Sequence, residues 1–428
     1  MSGLARIMLD RGVFVSGSDR VESDTVKKLA KLGAEIYIGH SPNNVKNCDL
    51  VVYTAAVSKD NTELSAAKER GIPCMERANF LGELMKSYKS SIAVCGTHGK
   101  STTTGMVSCI FLRGREKPTV LLGGNLSSID GNVLIGSSDL LVMEACEYVD
   151  SFLQFNPSVI LILNIELDHL DYFKDIEQIK SSFAAFVEKV PKDGFCVVNL
   201  DDENIRCIAG GLKCRCITYS IENAAADYYA AAASAGEFDM YFQGEPLCRI
   251  RLKVSGRHNI SNAAGAFAAA HSFGVSADEI RLGLESFGGI SRRFEFKGEK
   301  DGVRFFDDYA HHPTEIESTL RAAREVSNGG KVLCAFQPHT YTRTKEFCKD
   351  FAEALSLADT VLLTDVYAAR ERPVDGVSSE MIGKFLPGSL CMQSFCDIAR
   401  YLTENARNGD IVICMGAGDI YRVFDEIF

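Results

Sequence analysis

Short apolar runs with no polar alternation punctuate this chain, and each passes at once into glycine or a cluster of polar side chains. Residues 140–143 run into Glu144, 159–163 into NIELDHLDY, Val332–Phe336 into QPHTYTRT, and Ile411–Met415 into GAGD. A strand without alternation must be covered on both faces, and the helical patterns between the runs supply the cover. The pattern predicts an α/β protein built on mostly parallel sheets. Its functional side chains should gather at the carboxyl ends of the strands, where open sheets bind ligands.

At about 150 residues per domain, 428 residues correspond to three units. The first, residues 1–88, alternates apolar runs at 13–15, 34–38 and 50–53 with helical patterns at 24–32 and 62–70. The second, 89–290, carries strands at 92–94, 140–143, 159–163 and 195–198 and an alanine-rich helix at 259–273. The third, 291–428, follows Gly288 and Gly289 with strands at 303–306, Val332–Phe336, Thr360–Leu363 and Ile411–Met415.

Several function classes are excluded early. No apolar run approaches the roughly 18 residues of a spanning helix, so membrane insertion is not expected. Residues 1–11 mix Arg6, Asp10 and Arg11 into a helical apolar pattern, unlike a secretory signal, and the chain reads as cytoplasmic. A net charge of −11 without a basic stripe argues against nucleic acid as a partner. The 15 cysteines are scattered with no CxxC, so reduced thiols are expected and any metal should sit on oxygen and imidazole.

The segment SIAVCGTHGKSTTT carries the most specific chemistry. An apolar strand enters a loop of Gly96, Thr97, His98 and Gly99, and Lys100, Ser101 and Thr102 open a helix. Backbone N–H groups of such a loop cradle phosphates, the lysine reaches the β and γ phosphates, and the hydroxyl ligates Mg²⁺. The usual pattern has glycine where Val94 stands, so this is a shortened variant of an ATP-binding loop. Glu144 ends a strand of the same sheet and is a natural Mg²⁺ partner. After the next strand, Asn164, Glu166, Asp168, His169 and Asp171 reach the same rim, with His169 either a second metal ligand or a turn histidine.

Other positions leave two readings open. Asp19 is either a ribose-binding acid or a loop carboxylate. His258, Asn259 and Asn262 either cap the alanine-rich helix or face a ligand. Arg292 and Arg293 are a phosphate clamp or an exposed basic pair. DDYAHHPTEI, FQPHTYTRT and GAGD, at the ends of three strands of one domain, suggest a binding face.

Taken in order, SGSD, VVYTAAV, GTHGKSTTT, the Glu144 strand, NIELDHLDY, GRHNISNAA, RRFE, DDYAHHPTEI, FQPHTYTRT and GAGDI resemble the Mur ligases, ATP-dependent amide-bond ligases of peptidoglycan precursor synthesis. The resemblance spans essentially the whole chain. It implies a Rossmann-like UDP-binding domain, a central P-loop ATPase-like domain and a C-terminal Rossmann-like domain. DDYAHHPTEI and the FQPH run point to the branch that joins L-alanine to UDP-N-acetylmuramate, or to its relative that reattaches recycled murein peptide. A nucleotide-binding protein without ligase activity is the alternative from another class.

The family's roles, carried over, give Lys100 the γ phosphate, Ser101 and Glu144 one Mg²⁺, and His169 a second. Asn262 would approach adenine, Arg293 the phosphates and Asp308 the ribose. Tyr309, His311, His339 and Arg343 would line the site for the muramoyl carboxylate and the amino acid. Three departures stand out. The family usually has a strand and glycine loop before MSGLA, so the first domain is expected to lack that strand and to expose apolar surface. Cys146 stands where aspartate is commoner, which questions a third carboxylate there. Thr340 replaces a common arginine, which predicts one fewer anionic contact.

Overall fold

The computed structural model describes every residue except 59, 115, 235 and 370. Its centre is a ten-stranded sheet. The strand Ser90–Cys95 lies inside it, parallel to Leu140–Glu144 on one side and to Val159–Ile162 on the other. Alternate side chains of this strand enter two different cores: Ile92 and Val94 pack on one face, Ala93 and Cys95 on the other. That double burial is why the run carries no polar alternation.

Helices Lys100–Arg113, Arg257–Phe273 and Ala277–Ser286 cover the first face. The small residues of the alanine-rich helix, Ala263 to Ala270, let it lie close to the sheet, with Phe267 fully buried among them. Ile176–Val187 covers the second face through Ile179, Phe183 and Phe186. Beyond Phe195–Asn199 the sheet continues through Arg215–Ser220, Tyr228–Ser234, Glu237–Phe242 and Glu245–Arg251, the last two pairings antiparallel.

The C-terminal domain has a six-stranded sheet in the order Glu295–Lys300, Val303–Asp308, Ile411–Met415, Val332–Phe336, Thr360–Leu363, Leu390–Cys391. All pairings are parallel except the first hairpin, and separate apolar clusters fill the two faces. The α/β expectation holds in both large sheets.

The N-terminal unit departs from expectation in detail. It contains two separate parallel pairs, Ser16–Asp19 with Glu35–Ile38 and Val51–Tyr53 with Cys74–Glu76. The strand expected at 13–15 begins instead at Ser16, because its partner begins only at Glu35, after the left-handed turn at Gly33 (φ 99°). Val13 and Phe14 are left 44% and 68% exposed. A groove of about 790 Å³ runs between the pairs, lined by Val15, Ser16, Val52 and Tyr53.

Close helix packing sets the shape of the central domain. A side chain added at Gly283, on Ala277–Ser286, would place its Cβ 2.9 Å from the Ile110 nitrogen and 3.1 Å from the Cys109 oxygen. Backbone cannot yield there as a flexible side chain does. Gly283→Ala is expected to cost about 1–3 kcal/mol through overpacking, read as a lower midpoint in a urea titration. An unchanged midpoint would show that the two helices separate freely.

Candidate active site at the seam of two domains

The loop after Ser90–Cys95 depends on two glycines in the left-handed region, Gly96 (φ 141°) and Gly99 (φ 82°). A Cβ at Gly99 would stand 2.7 Å from Asn262 Oδ1, so glycine permits both the turn and the approach of the alanine-rich helix. Asn164 braces the loop, accepting from His98 N at 2.7 Å and donating to His98 O at 3.1 Å. Thr97 Oγ1 accepts from Glu166 N at 2.8 Å. Lys100 curls back over this loop, its Nζ donating to the Gly96 and Thr97 carbonyls at 2.6 and 2.9 Å.

Ser101 and Glu144 both stand beside the Gly123–Gly124 pair. Gly123 N donates to Glu144 Oε1 at 2.7 Å, and a Cβ on the adjacent Gly124 would lie 4.0 Å from Ser101 Cβ. A hydroxyl and a carboxylate together offer hard oxygen donors of the kind Mg²⁺ takes.

Beside them lies a residue that sequence reasoning missed. Glu147 is 2% exposed at its side chain, 3.0 Å from Lys100 Nζ and 3.6 Å from His169 Nε2. Burial alone would raise its pKa, yet Lys100 and His169 hold it below the ordinary carboxylate value. Lys100 is likewise disfavoured by burial but raised by Glu147. Cys146, next to it in the Glu-Ala-Cys-Glu run, is exposed. The available signal was a second acid three residues after Glu144. His169 itself has a left-handed backbone (φ 55°) and lays its ring 4.6 Å from that of Tyr148.

A cavity of about 200 Å³ adjoins the loop, lined by Gly99, Asn262, His258, Arg293 and Asp308. Asp308 accepts from Phe294 N at 2.6 Å and from Ala310 N at 2.7 Å, while burial pushes its pKa up to about 6. Arg293 reaches Glu315 at 3.1 Å. The capping alternative for His258, Asn259 and Asn262 is not what forms: Gly256 is the cap residue, without a side-chain cap, and Asn259 Nδ2 donates to Ser255 O at 2.7 Å.

The C-terminal domain closes over this rim through charge. Arg343 donates to Asp168 at 2.6 Å with both side chains nearly buried, and its other nitrogen lies 3.3 Å from His339 Nδ1. Although burial opposes the charge on Asp168, Arg343 holds its carboxyl far below the usual range. Glu315 collects His98, Arg293 and His311 at 3.3, 3.1 and 3.2 Å. His98 is disfavoured as a cation by burial, but Glu315 and Glu166 outweigh that and push it up to about 9. Tyr309 lies under both Arg292 and Arg293, its ring centroid 5.1 and 5.2 Å from their guanidinium carbons.

Some expectations are revised. Arg292 is not one of an exposed basic pair: it bonds Asp307 at 3.1 Å and the Gly416 and Gly418 carbonyls at 2.7 and 3.1 Å, which leaves it engaged within its own domain. Those bonds, with Gln337 holding Asp419, make GAGD an internal tie of the domain rather than part of the binding face. Thr340 (φ 67°) caps Tyr341–Glu346, its hydroxyl accepting from Arg343 N at 3.4 Å. Asp19 lies apart from this site: it accepts from Val21 N at 3.4 Å and lines the N-terminal groove.

Burial lowers the pKa values of His258, His311 and His339 to about 4, 3 and 4; Arg293 reinforces this at His258 and Arg343 at the other two, while Glu315 opposes it at His311. The unfolded chain binds these protons near pH 6.5, the folded chain only near pH 3–4. Stability is therefore intact above about 6.5 and falls as pH drops towards 4, by roughly 1.4 kcal/mol per pH unit for each histidine. His258→Gln and His339→Gln should each show a shallower fall in urea midpoint between pH 7 and 4.5 than the unaltered chain. Equal slopes would mean these rings are protonated in the fold.

Three families match consecutive parts of the chain: the Mur ligase family catalytic domain at residues 1–89, the Mur ligase middle domain at 94–270 and the Mur ligase glutamate ligase domain at 292–418. UDP-N-acetylmuramate--L-alanine ligase of Acetivibrio thermocellus is 47% identical over 99% of this chain and 92% of that protein. The protein of the same name from Clostridium acetobutylicum is 48% identical over 99% and 94%. The crystal structure of UDP-N-acetylmuramate-alanine ligase from Thermotoga maritima superposes with a TM-score of 0.84 at 29% identity, covering 100% of this chain and 95% of that one. A murein peptide ligase from Psychrobacter arcticus shares the fold, with a TM-score of 0.74 at 24% identity over 100% and 95%. With its motifs in order and its relatives matched from end to end, the chain belongs to the Mur ligase family.

Proposed function

We propose that this protein is an ATP-dependent ligase that joins L-alanine to the lactoyl carboxylate of UDP-N-acetylmuramate, releasing ADP and phosphate. The observation that carries the reading is the seam itself. A phosphate loop with its lysine on one domain faces Arg343, His339 and His311 on another. The names of the full-length relatives support the substrates. We divide the work among residues 1–88 for the UDP-sugar, 89–290 for ATP and 291–428 for the amino acid and closure. The reaction belongs in the cytoplasm, where ATP is available; no helix among the described residues is long and apolar enough to cross a membrane.

The reaction proceeds in two displacements. The muramoyl carboxylate oxygen attacks the γ phosphorus, the bond to the ADP oxygen breaks, and an acyl phosphate forms. The alanine amine then attacks the acyl carbon, and phosphate leaves as the tetrahedral intermediate collapses with loss of the amine proton. Gly96, Thr97, His98, Gly99, Ser101 and Thr102 hold the phosphates, with Lys100 on the γ group and Arg293 neutralising charge. Asn262 and Asp308 hold adenine and ribose. Phosphoryl transfer needs mainly such positioning and charge neutralisation. Bound Mg²⁺, held by Ser101 and Glu144 with His169 at a second site, supplies further neutralisation of the phosphates. Tyr309, His311, His339 and Arg343 orient the carboxylate and the amine, and Asp19 belongs to the UDP-sugar side. Closure of the seam excludes water from a hydrolysable intermediate.

The test is phosphate release from ATP and Mg²⁺ with UDP-N-acetylmuramate, with and without L-alanine, and with a murein tripeptide in parallel. Release that needs both the UDP-sugar and alanine is the expected result. Release only with the tripeptide would make the protein a murein peptide ligase. Lys100→Ala should lower turnover at least roughly 10²–10³-fold with the fold intact. Glu147→Gln, which leaves Lys100 without its buried counter-charge, should lower it about tenfold, or 1.4 kcal/mol of barrier.

A further inference from the structure

The seam holds a second set of metal-type donors, separate from Ser101 and Glu144. Among the described residues, His98, Glu166 and His312 each present one donor atom within 4.8 Å of the other two. Glu166 Oε2 is 3.6 Å from His98 Nε2 and 3.9 Å from His312 Nδ1, and the two rings lie 4.7 Å apart. An ion bound tetrahedrally at about 2.0–2.1 Å needs its donors about 3.3 Å apart. Shifts of about 0.3 and 0.6 Å would satisfy the two carboxylate–imidazole spacings, and the two imidazole donors, within 4.8 Å of each other, would close by up to roughly 1.5 Å through ring rotation.

Two observations set this group apart from an ordinary polar contact. His312 is 5% exposed, yet among the described residues neither ring nitrogen has a hydrogen-bond partner, and His98 Nε2 has only Glu166 Oε2 at 3.6 Å, beyond hydrogen-bond length. Buried polar atoms are nearly always satisfied, so three such nitrogens at one point call for an occupant. The supporting shell is also built. Glu315 Oε1 stands 3.3 Å from His98 Nδ1, on the far side of that ring from Glu166. Thr314 Oγ1 donates to Glu166 Oε2 at 2.6 Å. A carboxylate behind a ligating imidazole fixes its tautomer and raises its basicity.

We propose that His98, Glu166 and His312 bind a divalent transition-metal ion of the Zn²⁺ class, which clips the phosphate loop of the central domain to the C-terminal domain. Two imidazoles and one carboxylate select Zn²⁺ over Mg²⁺, which prefers oxygen and keeps its waters. Three protein donors leave a fourth position open, and His98 and Glu166 also line the nucleotide cavity. The ion replaces the proton on His98 Nε2, the nitrogen that faces Glu166, and leaves the Nδ1 proton to Glu315. Because the donors come from both domains, occupancy holds the seam closed and brakes the opening that substrate exchange requires.

The test titrates the full chain, free of nucleotide, with Zn²⁺ against a chromophoric chelator and with Co²⁺ as a spectroscopic probe. One equivalent should bind, the Co²⁺ form showing the intense visible bands of a four-coordinate site and no thiolate charge-transfer band. Glu166→Gln and His312→Gln should each weaken Zn²⁺ at least about 100-fold, and Glu315→Gln about 10- to 100-fold; His169→Gln should leave it unchanged. Circular dichroism checks each fold, and the half-exposed Glu166 carries the test should His312→Gln not fold. Absence of binding, a thiolate band, binding that survives Glu166→Gln, or loss on His169→Gln would each overturn the site.

Discussion

The contact between the central and C-terminal domains is made of buried charges, with Asp168 and His98 on one side meeting Arg343 and Glu315 on the other. Asp168 and Arg343 are almost wholly enclosed at 2.6 Å, and Glu315 is enclosed by His98, Arg293 and His311. Removing one member of such a pair leaves a buried charge uncompensated, at about 3–5 kcal/mol. The paired state gains little over separate hydrated ions, because desolvation offsets most of the attraction. A seam of this kind specifies one closed arrangement without binding it tightly. An apolar seam of equal area would resist opening, and a three-substrate ligase must open on every turnover.

Within the seam the phosphate loop is already satisfied before any phosphate arrives. Lys100 is held by two loop carbonyls and by Glu147, and Asn164 holds His98 on both sides. The loop backbone is thereby fixed in advance, whereas Lys100 must exchange its carbonyl contacts for the γ phosphate proposed for it when ATP binds; fixed dipoles and charges of the first kind accelerate a reaction most. Glu147 sets the balance. By pairing with Lys100 and His169 together, it joins the phosphate-binding group to a proposed metal ligand through one carboxylate.

What could be read from the sequence follows burial. Runs such as Val332–Phe336 and Ile411–Met415, covered on both faces, are found where their apolar character puts them. The strands from Arg215 to Arg251 were not foreseen: Arg215–Ser220, Glu237–Phe242 and Glu245–Arg251 mix charged and apolar residues, and the tyrosine–alanine run of Tyr228–Ser234 is as compatible with a helix. Strand-end residues such as Lys100, Glu144 and Asp308 were visible because they follow such runs. Glu147 was not, since its meaning depends on a lysine 47 positions away. The GAGD segment misled because a glycine turn at a strand end reads the same whether its carbonyls face a ligand or, as here, Arg292.

The N-terminal unit illustrates the opposite limit. Isolated two-stranded sheets are marginal in water and need helices or further strands to persist. Its two pairs gain that support from the central domain: Leu4 and Ile7 of Ser2–Asp10 and Leu81, Leu84 and Met85 of Arg77–Met85 belong to the same buried cluster as Ala93, Leu141 and Ile160 of the central sheet. Gly3 makes the approach possible, since a Cβ there would stand 3.1 Å from Leu121. The unit is thus anchored through helices at both of its ends, while the face lined by Val15 and Val52 stays open as a groove. The two outer domains are thus joined to the central one by different means, the N-terminal unit by apolar packing and the C-terminal domain by buried ion pairs such as Asp168–Arg343.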